Sequence, residues 1–368
     1  MSGTGPVGVG IIGAGVISTQ YLENLTTFPD VRVLFIADID LERAKAQAGR
    51  FGVPESGSVE ELLAHPEVEI VVNLTIPAAH VEVATQALEA GKHVWSEKPF
   101  ALDRESGKAL LARAHELGLR VATAPDTFLG AGLQTGKRLI AEGRIGRPLT
   151  AVTMFQGPGP ESWHPNPDFY YVPGGGPLFD MGPYYLTALI QNLGPVKRVA
   201  ATQSTARTTR TIGSGPRKGE TFQVTTPTHF SALLEFESGA TAQSVYSFES
   251  SIRRHGVVEF TGTDGALVFP DPNNFDGELA FWQDATDEPE VIEAVGVTTT
   301  RGTGVLELAR AIRAGVPERA NGEQGYHVVD VMVSIAEAAT SGQWVEVEST
   351  VAPAEALPID WDPTARTL

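Results

Sequence analysis

Four short stretches of this chain carry residues that could do chemistry. The first, Gly10-Ile-Ile-Gly13-Ala-Gly15-Val16-Ile17-Ser18, is a G-x-G-x-x-S pattern counted from Gly13. The second, His93-Val-Trp-Ser-Glu97-Lys98-Pro99, ends in a lysine followed by proline. The proline confines Lys98 to an extended conformation or a tight turn, which fixes where its ammonium points. Taken alone, a lysine at a strand end is more often a surface charge. The third stretch, Gly174-Gly-Gly-Pro-Leu-Phe-Asp180-Met-Gly-Pro-Tyr184, sets a carboxylate and a phenol four residues apart on one side of a helix. A phenol with an ordinary pKa of about 10 is a poor base at neutral pH, but a neighbouring ammonium favours the phenolate. Asp180 and Tyr184 are thus a candidate acid–base pair; the bland alternative is that Tyr184 and Tyr185 pack into the core. Tyr185, about 100° further round the helix, is the better packing residue of the two. The fourth stretch, Ser162-Trp163-His164-Pro-Asn166-Pro-Asp168, is irregular. Trp163 could stack on a ring-shaped ligand and His164 or Asn166 could hydrogen-bond it, or the loop could serve an interface.

These residues need strands and helices to present them. Val7–Ile12, Val31–Ala37 and residues 70–74, 93–95 and 119–122 are short apolar runs, the kind buried on both faces of a parallel sheet. Between them, Ser58 and Glu61 have capping-box spacing. Residues 79–90 put Val83, Ala84, Ala87 and Leu88 on one helical face before stopping at Gly91. The alternation predicts an α/β Rossmann domain, a doubly wound parallel sheet, over residues 1–124. Over residues 125–368 the texture changes. A helical stretch at 132–142 leads to a Pro/Gly-rich aromatic segment, then to alternation at Phe230, Ala232, Leu234 and Phe236. Asp264-Gly265 lies between two extended runs as a hairpin signal. This predicts an α+β domain with an antiparallel or mixed sheet, one face covered by helices near 305–314 and 328–339. Residues 205–220, with Arg207, Arg210, Arg217 and Lys218, read as an exposed loop.

The glycine stretch follows the first strand and opens a helix, the setting in which the motif has a mechanism. Gly13 allows the tight turn, Gly15 lets a pyrophosphate approach backbone amides, and the helix N-terminus supplies partial positive charge. Ser18 is small enough for the third position. An acid, Asp38, ends the second strand about 25 residues on, where it would accept hydrogen bonds from ribose hydroxyls and repel a 2′-phosphate. NAD is therefore the expected cofactor, with NADP as the alternative because Arg43 could meet a phosphate.

Composition sets outer limits. The 368 residues suit two domains. A formal charge of −18 argues against nucleic acid and anionic membranes as partners. The sequence has no cysteine, which excludes disulfides and thiol chemistry. The eight histidines show no metal-ligand spacing, so no metal is expected. No secretory signal or membrane span is read, which predicts a cytosolic location.

With these blocks in place, the sequence from Val7 to about Thr340 resembles the glucose-fructose oxidoreductase/inositol dehydrogenase/MocA-like family. The resemblance rests on the glycine turn, Asn73-Leu-Thr-Ile-Pro-Ala-Ala-His80, Ala90-Gly-Lys-His-Val-Trp-Ser-Glu-Lys-Pro99 and the Gly174–Tyr184 block. It implies a Rossmann domain joined to an α+β domain with an open, largely antiparallel sheet. It also implies an NAD(P)-dependent enzyme interconverting a secondary alcohol and a ketone on a sugar, inositol or related polyhydroxylated ring. It places Gly13, Gly15, Val16, Ile17, Asp38, Thr75, Pro77, His80, Glu97 and Lys98 at the cofactor, with a Lys98–Pro99 bond that is often cis. His80 is read as a cap of the following helix in preference to a catalytic group. Many members pair Asp with His where this chain has Asp180 and Tyr184, so the resemblance makes Tyr184 the acid–base group, Lys98 the polarising group and Asp180 an orienting group. Asp126, at the domain crossover, is read as a substrate contact or as a cap of its own turn. Substrate contacts are otherwise expected from Lys98, Trp163, His164, Asp180 and Tyr184. A homodimer or homotetramer is implied. An NAD-dependent glycoside hydrolase and a non-catalytic cofactor or sugar sensor are the alternatives on the same fold.

Overall fold

The computed structural model describes residues 4–283 and 286–368; the first three residues, part of the stretch read for a secretory signal, lie outside them. Strand β1 (Val7–Ile12) is buried along its whole length. Around it run β2 (Val31–Ala37), β3 (Glu55–Gly57), β4 (Ile70–Asn73), β5 (His93–Ser96) and β6 (Val121–Thr123), in the order β3-β2-β1-β4-β5-β6. Every pairing is parallel, as apolar runs with helical crossovers require. The crossovers are α1 (Val16–Leu25), α2 (Leu41–Phe51), α3 (Val59–Ala64), α4 (His80–Glu89) and α5 (Arg104–Leu117). Ser58 and Glu61 do form the capping box of α3. The strand that sequence patterning does not show is β3, three residues with no fully buried side chain and hence no apolar run. The order reverses between β1 and β4, and ligands of open parallel sheets bind outside the strand ends at such a point.

The second sheet is built otherwise. After α6 (Ala131–Ala141) come β7 (Pro148–Pro158), α7 (Gly176–Leu193), β8 (Val196–Ser204), β9 (Thr209–Thr211) and β10 (Thr221–Gln223). Then follow β11 (His229–Phe236), β12 (Thr241–Ser247), β13 (Glu249–Gly262), β14 (Ala266–Val268), β15 (Leu279–Trp282), β16 (Glu290–Ile292) and, late in the chain, β17 (Val345–Glu346). Nine of these strands form one sheet, β16-β15-β14-β13-β7-β12-β11-β8-β17. Only the β7–β12 pairing is parallel. Phe230, Ala232, Leu234 and Phe236 are buried on one face, which α7 covers, while Leu233 on the other is 49% exposed.

Two expectations are corrected here. Residues 205–220 are not simply an exposed loop: β9 begins within them and pairs antiparallel with β10 as a separate ribbon, with Arg210 buried. Charge suggests solvent, but Arg210 meets Glu161 and Glu249, which no local pattern reveals. The helix α8 (Thr303–Ala314), expected on the second sheet, packs instead against α1 and residues 126–129. Contacts accordingly gather the chain up to Gly130 with Gly296–Tyr326 and Leu357–Leu368 as one unit, and Ala131–Val295 with His327–Ala356 as the other, a division that falls inside α9 (Gly322–Ser341). Compared with one cut at 124/125, the first unit recruits late segments because they carry its ion-pair partners. Arg310 donates to buried Asp30 at 2.8 Å, Arg313 forks onto Glu69 at 2.6 and 2.8 Å, and the Thr367 and Leu368 amides close on Asp30.

Candidate active site

The glycine turn of the first unit is shaped by close approach. Gly13 has φ +106, and a Cβ there would lie 2.6 Å from the Leu74 carbonyl oxygen, so no other residue fits without displacing the strand end. Gly13 N–H donates to Ala37 at 2.8 Å, tying the turn to β2. Ser18 is fully buried, donates to the Gly15 carbonyl at 2.6 Å and accepts from Gln47 at 2.9 Å. Its hydroxyl thus finds partners where a third glycine would need none.

Asp38 is bound on both oxygens. Oδ2 accepts from Ala14 N–H at 2.7 Å and Arg43 Nε at 3.2 Å; Oδ1 accepts from Arg43 Nη2 at 2.6 Å and Asp40 N–H at 2.9 Å. Burial works to raise its pKa, but Arg43 and the two amides outweigh it and hold the carboxyl below the usual range. The acid is therefore ionised and fixed beside the turn. The surroundings fit a dinucleotide: a Cβ on Gly15 would have nothing within 4 Å, and Val16, Ile39 and Ile76, just beyond the ends of β1, β2 and β4, are 89%, 95% and 65% exposed.

The lysine turn is held by a second network in the same unit. The Lys98–Pro99 bond is cis. Lys98 N–H donates to Glu97 Oε2 at 3.0 Å, and Glu97 Oε1 accepts from the Tyr21 hydroxyl at 2.8 Å. Trp95 Nε1 donates in turn to Tyr21 at 3.0 Å. Burial first, then the charges of Glu97 and Asp126, push the Tyr21 pKa well up, so it stays a neutral donor. Sequence motifs do not single out Tyr21 and Trp95 as site residues; Tyr21 lies 76 residues from its partner, and nothing local marks it.

His80 does not cap α4. It is the first residue of that helix, and its buried ring lies between two carbonyls, with Nδ1 2.8 Å from Pro99 O and Nε2 3.0 Å from Thr75 O. Asn73 completes this link: its Nδ2 donates to His80 O at 2.9 Å and its Oδ1 accepts from the Thr75 hydroxyl at 2.7 Å. The loop of Thr75 and Pro77 is thereby tied to the lysine turn. Asp126 is fully buried and caps α8, its Oδ2 accepting from Gly302 and Gly304 N–H at 3.0 and 3.1 Å. Burial raises its pKa against the pull of Arg301 and these amides.

In the second unit, Asp180 and Tyr184 both lie on α7, with Tyr184 only 6% exposed. Tyr185 is the packing residue: fully buried, edge-on to Phe155 and Tyr246, its hydroxyl accepts from Gly256 N–H at 2.8 Å. His164 has its ring edge-on to Trp163, Phe169 and Tyr170 at 5.4–5.5 Å between centroids. Burial lowers its pKa, while the charge of Asp180 pulls the other way. Among the described residues, no group of three or more potential ligands could hold a metal, and no helix is long and apolar enough to cross a membrane.

A glycine turn at the switch point of a parallel sheet, with an ionised acid fixed beside it, defines a dinucleotide-binding domain. Residues 7–124 match the model of the GFO/IDH/MocA oxidoreductase family with an NAD-binding Rossmann fold, and residues 133–268 match the GFO/IDH/MocA C-terminal domain. The chain belongs to this family and is an NAD(P)-dependent oxidoreductase. It is 26% identical to 1,5-anhydro-D-fructose reductase of Ensifer adhaerens, over 92% of this chain and 98% of that protein. It is 27% identical to D-xylose 1-dehydrogenase (NADP(+)) 2 of Haloferax volcanii, over 92% and 99%. Levoglucosan dehydrogenase in complex with NADH and L-sorbose has the same fold, with a TM-score of 0.82 and 22% identity over 93% of this chain and 99% of that one.

Proposed function

We propose that this protein interconverts a secondary alcohol and a ketone on a sugar, inositol or related polyhydroxylated ring, with NAD as its cofactor. The observation that carries this reading is the lysine turn, whose backbone is pinned through Glu97 to Tyr21 and Trp95 and through His80 to the Thr75 loop. A lysine held this way, in a family whose relatives act on sugars, is built to polarise a substrate oxygen. Tyr184 takes the hydroxyl proton in the oxidative direction, and Asp180 with His164 and Trp163 orients the ring. When bound, the nicotinamide supplies a hydride acceptor or donor at C4. Gly13, Gly15, Val16, Ile17, Thr75 and Pro77 would line the dinucleotide.

NAD is favoured over NADP because Asp38 is ionised where the ribose would lie, and because Arg43, which could otherwise meet a phosphate, is engaged by Asp38 through two nitrogens. Exposed Leu233, Ile252, Trp282 and Trp344 on or beside the second sheet support a homodimer or homotetramer, which light scattering would read. A cytosolic location is consistent with use of a soluble nicotinamide pool, and cell fractionation would test it.

The test is absorbance of reduced cofactor with NAD and NADP separately, across sugars, sugar acids, inositols and dihydrodiols. Stoichiometric reduction supports the dehydrogenase over a hydrolase that recycles its cofactor. Tyr184→Phe is expected to lower kcat by roughly 10²- to 10⁴-fold, and full turnover by that variant would remove Tyr184 from the mechanism.

A further inference from the structure

The β9–β10 ribbon grips the irregular segment 159–175 at many points. Arg210 Nη1 donates to Glu161 Oε1 at 2.6 Å, while Tyr171 donates its hydroxyl to the other Glu161 oxygen. Arg210 Nη2 meets Glu249 Oε1 at 2.7 Å and the Phe248 carbonyl at 3.2 Å. The Arg210 guanidinium also lies over the Tyr171 ring, 5.0 Å from its centroid, and its side chain is only 2% exposed. Removing one member of such a buried set leaves uncompensated charge, so the arrangement has little freedom to shift. Further out, Arg217 forks onto Asp168 at 2.6 and 3.1 Å.

Backbone contacts repeat the pattern. Gly213 N–H donates to the Glu161 carbonyl at 2.7 Å, and Thr225 N–H donates to the Tyr171 carbonyl at 2.8 Å. A Cβ on Gly213 would lie 3.0 Å from Ser162 Cα, and one on Gly215 would lie 2.5 Å from Pro165 Cβ. The connection between β9 and β10 therefore presses against both flanks of Trp163-His164. Tyr171, Ile212, Phe222, Val224 and Phe248 form an apolar cluster beneath, a small core shared by ribbon and segment. On the segment, Trp163 is 60% and Phe169 43% exposed beside the His164 ring.

We propose that the β9–β10 ribbon is a clamp that fixes segment 159–175 as an aromatic wall for the substrate ring, with Arg210 as a positioning residue that sets substrate affinity without touching substrate. The substrate half of this proposal rests on the dehydrogenase reading above. Arg210→Lys keeps the charge but cannot span both carboxylates as a fork, and Arg217→Gln loosens the outer pair.

The full chain, with NAD bound, would be studied by steady-state kinetics and by hydrogen–deuterium exchange across 159–175. Arg210→Lys is expected to raise KM for the ring substrate by roughly tenfold with kcat changed less than about twofold, a split that reports lost binding rather than lost chemistry. Arg217→Gln is expected to raise it by roughly two- to threefold. For both, KM for NAD stays constant and exchange in the segment quickens. Faster exchange with an unchanged substrate KM would show that the segment is no substrate wall. Unchanged exchange would show that the ribbon does not hold it. If Arg210→Lys fails to fold, Arg217→Gln tests the clamp by the same two readouts. If the wild type reduces no cofactor with any ring, the dehydrogenase reading fails, and exchange alone then decides the clamp.

Discussion

In the first unit, Gly13, Gly15 and Asp38 are placed by one strand–turn–helix and the end of the next strand, and Asp38 bonds directly to Ala14 in the turn. In the second unit, the segment bearing Trp163 and His164 is held through Glu161 and Asp168, each 49 residues from its arginine. The first arrangement is stiff because a parallel sheet fixes strand ends and a turn has few conformations. The second depends on ion pairs that close over long loops. A dinucleotide has constant shape across many enzymes, whereas ring substrates differ. On the proposed function, local geometry suits the constant part and long-range pairs suit the variable part.

The largest expected effect tests where the chemistry sits. Lys98→Met is expected to lower kcat by about 10³-fold, the scale of losing a group that stabilises developing charge. Cofactor affinity, read by fluorescence titration, should fall far less than kcat, since the turn is positioned by Glu97 and His80. A loss of NAD binding as large as the loss of kcat would make the cofactor contact of Lys98 its main role. Next, Asp38→Ser removes charge-assisted hydrogen bonds and frees Arg43. It should raise KM for NAD by roughly 10- to 100-fold and improve use of NADP, because Arg43 could then face a 2′-phosphate. No change in the NAD/NADP ratio would remove Asp38 from cofactor choice.

Acid compares the units directly. Burial, aided by Arg120, pushes His93 in the first unit down to about 4. Burial likewise takes His327 in the second down to about 4. His327 is neutral: Nε2 accepts from Val196 N–H at 3.1 Å, so Nδ1–H donates to Ser349, whose hydroxyl donates to Asp330 at 2.7 Å. Both pKa values lie below the unfolded value of 6.5, so the unfolded chain binds more protons between 6.5 and 4. Stability is therefore full above about pH 6.5 and falls as pH drops toward 4, by on the order of 1–3 kcal/mol per histidine. Melting temperatures of His93→Gln and His327→Gln between pH 7 and 4.5 should each show a shallower acid loss than the wild type. Smallest is Ser58→Ala, which opens the α3 capping box and should cost about 1 kcal/mol by denaturant titration. A much larger cost would mean that α3 also steers the end of β3 beside Asp38.

The parts legible in sequence were those whose signal is periodic or local. Val7–Ile12 and Val31–Ala37 read as strands with the bounds they have in the structure. The alternation from Phe230 to Phe236 marks the buried face of β11, and Asp264-Gly265 marks the turn between β13 and β14. The glycine turn and Asp38 could be found together because both sit at strand ends a fixed distance apart.

What the amino-acid order determined by itself was the class of fold and the glycine turn with its acid, since hydrophobic period, turn chemistry and short motifs act over a few residues. Only the tertiary structure decided that α8 and the chain's last residues belong with the first unit, that His80 bridges two carbonyls instead of capping a helix, and that Arg210 is buried. Each depends on which distant group completes a buried charge or polar atom. Desolvation makes that choice decisive in energy, and the linear sequence carries no mark of it.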